Sequence, residues 1–295
     1  MTRLVTSHTE DLNISSLTHS ILERCDVTPS SRQTYKYGVQ VFLRFCSEHG
    51  YHDDVLLHFK DHLRSRTDIS VSTKSLYLNS AKVAAREFYR LNWITQDISS
   101  SVKSFKVSPE HKRSPILEVD CKRVFKYLTK SGDTRSSLIF HLLAFQGLRR
   151  GEVCSIRAED FSDANATLLV KGKGLDGKTL IHLHRRTVRA MREYLTQVGI
   201  SSGFIFASRS RTGHLSTVQV HNIVQQVHRR CRLKANVHAW RKYFTSSLLE
   251  NGFDVITTSR FTRHRSINTL SVYYDRVNLA ARLDDFQKVF ADSKA

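Results

Sequence analysis

The sequence predicts a mostly α-helical protein in two domains, with one small antiparallel β-sheet confined to the second domain. Three observations carry that reading. Apolar residues recur at helical spacing through both halves of the chain. The stretch "SPEHKRSP", residues 108–115, is polar, basic and holds two of only three prolines, which marks a linker. Two β-rich runs, 166–170 and 179–183, flank a glycine-rich turn containing Asp176-Gly177, a hairpin signal. The domains implied are residues 12–107 and 118–295, joined by a linker over 108–117. A chain of 295 residues is comfortable for two cores of ordinary size.

The elements follow in order. A short polar tail precedes residue 12. "TPSSRQTYKYGVQVFLRFCSEHG" opens with Thr28 as a cap and Pro29 at the first helical position. Tyr35, Val39, Phe42 and Cys46 then share one face, and Gly50 ends the helix. Further helices are expected near 54–66 and 72–91. The last carries Lys82, Arg86 and Arg90 four residues apart, with Lys74 near the same stripe. Such a stripe reads either as a solvated face or as a row of phosphate contacts. Helical periodicity resumes near Leu117. "FHLLAFQGLRRGEVCSI" is apolar, turns at Gly147 and becomes charged; the hairpin follows, and helical patterns return from about residue 184. "NLAARLDDFQKVF", residues 278–290, is amphipathic, with Leu279, Leu283, Phe286 and Phe290 on one face.

Charge narrows the function classes. The chain has 46 Lys and Arg against 27 Asp and Glu, a net +19, which points to a polyanionic partner, most often nucleic acid. Residues 1–117 hold 16 basic and 12 acidic side chains and the remainder holds 30 and 15, so most of the surplus lies in the second domain. Five scattered cysteines (Cys25, Cys46, Cys121, Cys154 and Cys231) include no CxxC spacing, which supports neither a zinc site nor a disulfide framework. That usage suits a reduced, intracellular protein, and a nucleic-acid partner would place it in the cytoplasm at the nucleoid, or in the nucleus of a eukaryotic source. The N-terminus has no apolar signal core, and no run is long enough to cross a bilayer.

Chemistry-bearing residues of the second domain recur in a particular order. "GLRRGEV" places Arg149 just after a helix-breaking glycine, with Glu152 three residues on. "VKGKGLDG" places Lys173 at the hairpin turn. "HAWR" gives His238 and Arg241, "RHRS" gives His264, and "LSVYYD" gives Tyr273 and Tyr274. Each piece alone is weak. A lone histidine is more often a satisfied core residue, a turn lysine is usually solubilising, and a late tyrosine usually packs.

The composite resembles the tyrosine recombinase (phage integrase) family, in layout over residues 12–290 and sharply at "FQGLRRGEV", "VKGKG", "HAWRKYFTSSLLENGFDV" and "RHRSINTLSVYY". The resemblance implies a helical N-terminal core DNA-binding domain and an α+β catalytic domain that together clamp a DNA duplex. It implies strand cleavage and rejoining through a 3′-phosphotyrosine and a Holliday junction, by a homo-tetramer on two duplexes, in integration, excision or resolution. Arg149 and Arg241 would hold the phosphate, Lys173 would match the hairpin lysine, His238 and His264 the two histidines, and Tyr273 the nucleophile. Lys171 remains a rival to Lys173, and Tyr273 is preferred to Tyr274 by its spacing from His264. In the family the tail often docks on a neighbouring protomer. The helical pattern starts almost at once, which suggests a simple member without an arm-binding domain. Departures are Arg263 in place of the glycine that commonly precedes the second histidine, Lys242 after the second arginine where histidine is common, and Tyr-Asp after the nucleophile.

The chemistry suits those residue types. Two guanidinium groups can hold both non-bridging phosphate oxygens in a fork geometry that lysine does not match. A tyrosine hydroxyl, with a free pKa of about 10, needs a proton acceptor or an electrophilic phosphate; His238 is the acceptor expected, with His264 hydrogen-bonding the phosphate. Lys173 would protonate the leaving 5′-oxygen, and Glu152 would buttress Arg149. No carboxylate cluster for Mg²⁺ and no P-loop is present, so neither a metal nor a nucleotide cofactor is expected. Two other readings stay open: a type IB topoisomerase-like enzyme, and a DNA-binding protein that has lost catalysis.

Overall fold

The computed structural model describes residues 14–107, 115–172, 177–208 and 213–263. The chain divides into two compact units, Met1–Pro109 and Glu110–Ala295.

Among its described residues the first unit holds four helices: α1 (Ile14–Arg24), α2 (Pro29–His49), α3 (Val55–Ser65) and α4 (Val71–Arg90). The start of α2 is the one read from sequence. The Thr28 hydroxyl accepts the Ser31 amide at 3.3 Å, Pro29 takes the first turn, and Gly50 closes the helix at φ 76°. On the expected face Val39 and Phe42 are fully buried, while Tyr35 and Cys46 are half-buried. Phe42 meets Phe59 of α3 edge-on at 5.1 Å between centroids. Ser70 caps α4 through the Thr73 amide, and Leu78, Ala81, Ala85 and Phe88 turn into the core. α2 crosses α4 so closely that a Cβ on Gly38 would stand 2.4 Å from the Ser80 hydroxyl. α1, which the sequence reading did not single out, buries Ile21 and Leu22 against this bundle.

The second unit begins with α5 (Glu118–Ser131) and α6 (Thr134–Phe145). α6 is apolar on nearly every side, and seven of its twelve residues are buried. A helix of that kind must be surrounded, and it packs against α5, α8 (Arg185–Val198), α9 (Thr217–Arg230) and α10 (His238–Glu250). Between α6 and α8 lie α7 (Arg150–Cys154), a 3₁₀ turn (Ala158–Asp160) and the sheet; α11 (Val255–Thr262) follows α10.

The sheet is antiparallel in the order β1 (Phe161–Ser162), β2 (Thr167–Lys171), β3 (Lys178–His182). The two long strands lie within a residue of the expected runs. Their register pairs Leu168 with Ile181 and Lys171 with Lys178. Leu168 and Val170 point into the core while Leu169 and Lys171 face out, the alternation of a sheet buried on one side. Lys178 reaches back to both oxygens of Asp160, at 2.6 and 2.7 Å, and ties the turn end of β3 to the 3₁₀ turn. β1 adds a third strand that two residues are too few to announce by periodicity. The helical patterning expected from residue 184 includes an irregular stretch between α8 and α9. The amphipathic run 278–290 lies outside the described residues.

Candidate active site

Three backbone segments of the second unit converge: the turn after α6, the start of α10 and the end of α11. Trp240 sets the rotation of α10. Its ring is fully buried, edge-on to Phe140 at 5.1 Å, and its indole N–H donates to Nε2 of the buried His228 at 2.9 Å. With Trp240 locked in the core, the next residue is carried toward the α6–α7 turn. Arg241 is only 2% exposed. Its Nη1 donates to the Gly147 carbonyl and its Nη2 to the Thr262 carbonyl. A buried guanidinium held at both ends has almost no freedom left, which suits a group that must be in place before its ligand arrives. His238 stands one turn earlier, at the start of α10, and is exposed.

Gly147 is required twice over. Its φ of 56° lies in the left-handed region, and a Cβ there would come within 2.3 Å of the Phe244 ring of α10. The absent side chain lets α10 approach the turn and lets the Gly147 carbonyl meet Arg241.

Arg149 caps α7, and Glu152 reaches back to it. One carboxylate oxygen accepts the Arg149 amide at 2.7 Å; the other accepts Arg149 Nη1 at 2.9 Å. Arg149 Nη2 donates to the Arg263 carbonyl at 3.1 Å. The Glu152 carboxylate also receives Arg263 Nη2 at 3.0 Å. Burial alone would raise the Glu152 pKa. The charge of Arg263, with the hydrogen bonds and charge of Arg149, outweighs burial and holds the carboxyl below its usual range. Glu152 therefore sits ionised against Arg149.

The structure brings Arg149, Glu152 and Arg241 to one place through shared backbone. Lys173, His264, Tyr273 and Tyr274 lie outside the described residues. Lys171 ends β2 with its side chain exposed. Sequence reasoning noted Gly147 only as a helix breaker and Arg263 only as a departure from a family pattern. The signal in both cases was a residue at a helix end, but its meaning depends on partners roughly a hundred residues away.

On α4 of the first unit the basic residues are spread over different tasks. Lys74 donates to the Arg64 carbonyl at 3.0 Å, and Arg86 reaches the Ser99 hydroxyl at 3.4 Å. Arg90 forks onto Glu87 at 2.9 and 2.7 Å and donates to the Arg24 carbonyl at 3.2 Å. Lys82 is half-buried, and burial, then the like charges of Lys60 and Arg86, lower its ammonium pKa.

Among the described residues no group of three or more His, Cys, Asp or Glu side chains is arranged to hold a metal ion, and no helix is long and apolar enough to cross a membrane.

A set of helices around a small antiparallel sheet, with two arginines drawn together from α7 and α10, defines a class that comparison with known proteins identifies. The phage integrase family model matches residues 116–279, more than half of the chain. A tyrosine recombinase of Synechocystis sp. (strain ATCC 27184 / PCC 6803 / Kazusa) is 25% identical over 297 residues, covering 89% of this chain and 92% of the relative. XerA of Pyrococcus furiosus is 25% identical over 244 residues, covering 81% of each. In fold, the chain is similar to the XerH site-specific recombinase bound to a palindromic difH substrate, with a TM-score of 0.69 at 19% identity over 92% of this chain and 84% of that one. The chain belongs to the phage integrase family, the tyrosine recombinases.

Proposed function

We propose that this site-specific DNA recombinase cuts one strand of a DNA duplex at a single phosphate, held by Arg149 and Arg241, and keeps the 3′-phosphoryl end on Tyr273. The observation that supports this reading most directly is the convergence of those arginines: each is hydrogen-bonded to backbone carbonyls of the α6–α7 turn or the α11 end. Held in this way, guanidinium groups cost little reorganisation when charge builds up on phosphorus, and such donors typically contribute about 10²–10³-fold each.

In the cut, the Tyr273 oxygen forms a bond to phosphorus as the bond from phosphorus to the 5′-oxygen breaks. The phenolic proton passes to His238, and the 5′-oxygen takes a proton from Lys173. His264 donates to a non-bridging oxygen. The bond energy stays in the phosphotyrosine, so a 5′-hydroxyl from another strand reverses the step without a nucleotide. Exchange of strands between two duplexes then calls for four copies of the chain around a Holliday junction. The fold likeness to a lambda integrase tetramer bound to a Holliday junction, with a TM-score of 0.65 at 17% identity over 88% of this chain and 76% of that one, is in keeping with that assembly. Lys82 and Arg86 of α4 would lie on phosphates of the duplex. The enzyme would work in the compartment that holds the DNA.

The test is a nicked suicide duplex carrying a recombination site. The wild-type chain is expected to yield a covalent protein–DNA adduct on a denaturing gel, and Tyr273→Phe none. An adduct that persists in Tyr273→Phe and disappears in Tyr274→Phe would move the nucleophile by one residue. No adduct with any site would overturn the proposed chemistry.

A further inference from the structure

Arg263 occupies a conformation that suits glycine. It ends α11 at φ 54° and ψ 46°, in the left-handed region, where a side chain is disfavoured and glycine is the usual helix terminator. Its guanidinium is also nearly buried, 11% exposed, and its Nε has no hydrogen-bond partner among the described residues. Both features are unfavourable for an arginine that contributes nothing but bulk.

What the arginine obtains in return is a closed ring of contacts with the catalytic arginine. Its carbonyl accepts Arg149 Nη2 at 3.1 Å. Its own Nη2 donates to Glu152 at 3.0 Å, and Glu152 holds both the Arg149 side chain, at 2.9 Å, and the Arg149 amide, at 2.7 Å. Its Nη1 is anchored to the Phe261 carbonyl at 3.0 Å. Two independent routes therefore lead from one residue to Arg149, one through backbone and one through the shared carboxylate. The ring joins the end of α11 to the start of α7, 114 residues apart. Among the described residues two of the five Arg149 side-chain N–H donors are used in it, which leaves donors that a phosphate could take. Without Arg263, one oxygen of Glu152 would lose its buried cationic partner, and the carboxylate could rotate and take Arg149 with it.

We infer that Arg263 is a positioning residue, which fixes the Arg149 guanidinium for phosphate through Glu152. This rests on the assignment of Arg149 to the scissile phosphate. A glycine at this position would give the backbone its preferred residue, so stability and function should part company.

Arg263→Gly separates the two. The full-length variant is expected to remain folded, the backbone preference for glycine offsetting part of the loss of the buried Glu152 partner, and to bind the duplex within about twofold of wild type. Its single-turnover rate of adduct formation should fall about 10–100-fold, the scale on which small misplacements of a reacting group are felt. Arg263→Lys, which keeps the charge but loses the fork, should recover part of that rate. Glu152→Gln combined with Arg263→Gly should be no slower than Glu152→Gln alone, because the two residues act as one unit. A wild-type rate in Arg263→Gly, or a lower rate fully accounted for by reduced stability or weaker DNA affinity, would overturn the inference. If the wild-type chain forms an adduct and Arg263→Gly matches it, the positioning role fails and the recombinase chemistry stands. If the wild-type chain forms none, the assignment of Arg149 fails and takes the inference with it.

Discussion

Two arginines in this chain are each paired with a largely buried glutamate three residues away on a helix, Arg90 with Glu87 in α4 and Arg149 with Glu152 in α7. In both pairs an N–H donor meets the carboxylate at 2.7 to 2.9 Å. The surroundings differ. Arg90 spends its fork on Glu87 and its other hydrogen bond on the carbonyl at the end of α1, so the pair fastens one helix to another. Arg149 gives Glu152 a single side-chain hydrogen bond, and the carboxylate is completed by the Arg149 amide and by Arg263. A guanidinium whose carboxylate is satisfied by other donors keeps N–H groups for an external anion. The same two residue types at the same spacing thus make a staple in one unit and, on the proposed reading, would make a receptor in the other, with the third partner deciding which.

The largest expected effect tests the receptor directly. Arg241→Ala should lower the single-turnover cleavage rate about 10²–10³-fold. It should also destabilise the second unit by about 1–3 kcal/mol, because the carbonyls of Gly147 and Thr262 are deprived of a buried donor. Arg241→Lys keeps the charge but cannot serve both carbonyls and a phosphate at once, so it should recover stability better than rate. Rate and urea midpoint measured on the same preparations decide this. A lysine variant that cleaves at the wild-type rate would mean that positive charge alone suffices and that the fork geometry is irrelevant.

Gly147→Ala probes the turn on which the receptor is built. The added methyl would stand 2.3 Å from the Phe244 ring at a φ of 56°. A left-handed alanine and an overpacked ring together cost on the order of 2–4 kcal/mol. The urea midpoint should fall accordingly, and cleavage should slow because the Gly147 carbonyl that holds Arg241 moves with the turn. The companion change Gly199→Ala, in the left-handed region at φ 67° but with nothing within 4 Å of the new methyl, should cost less and leave cleavage unaltered. Equal destabilisation in the two variants would reduce the Gly147 effect to backbone conformation alone.

Much of this architecture was legible in the sequence because it rests on local chemistry. Thr28, Pro29 and Gly50 announce α2 with a cap, a fixed φ and a left-handed stop, and the Asp176-Gly177 turn announces the hairpin whose strands pair as expected. Arg149 and Arg241 stood out as residue types suited to a phosphate, with Glu152 as the expected partner of Arg149, and the fold gathers the three. What local chemistry does not encode is which partner arrives from elsewhere. Arg263 looked like an irregularity next to His264; its hydrogen bond to Glu152 spans 111 residues. The two-residue strand β1 exists because β2 is there to pair with it, and α1 is held by the bundle it covers. The basic stripe on α4 shows the same limit from the other side, since regular spacing of charge says nothing about which cations are already engaged.

The smallest expected effects come from that stripe, and they sharpen the contrast between staple and receptor. Removing one cation that neutralises a DNA phosphate should reduce the slope of log affinity against log salt by about 0.9. Lys82 lies near the like charges of Lys60 and Arg86 and makes no salt bridge among the described residues. Lys82→Ala should therefore reduce the slope by close to one phosphate and weaken binding evenly across DNA sequences. Arg90 already donates to Glu87 and to the Arg24 carbonyl, so Arg90→Ala should leave the slope nearly unchanged and cleavage within about twofold of wild type. Its cost should appear as earlier loosening of α1, visible as faster amide exchange between Ile14 and Arg24. Equal slope changes in the two variants would show that DNA draws Arg90 away from Glu87, and that a staple becomes a receptor when a stronger anion competes for it.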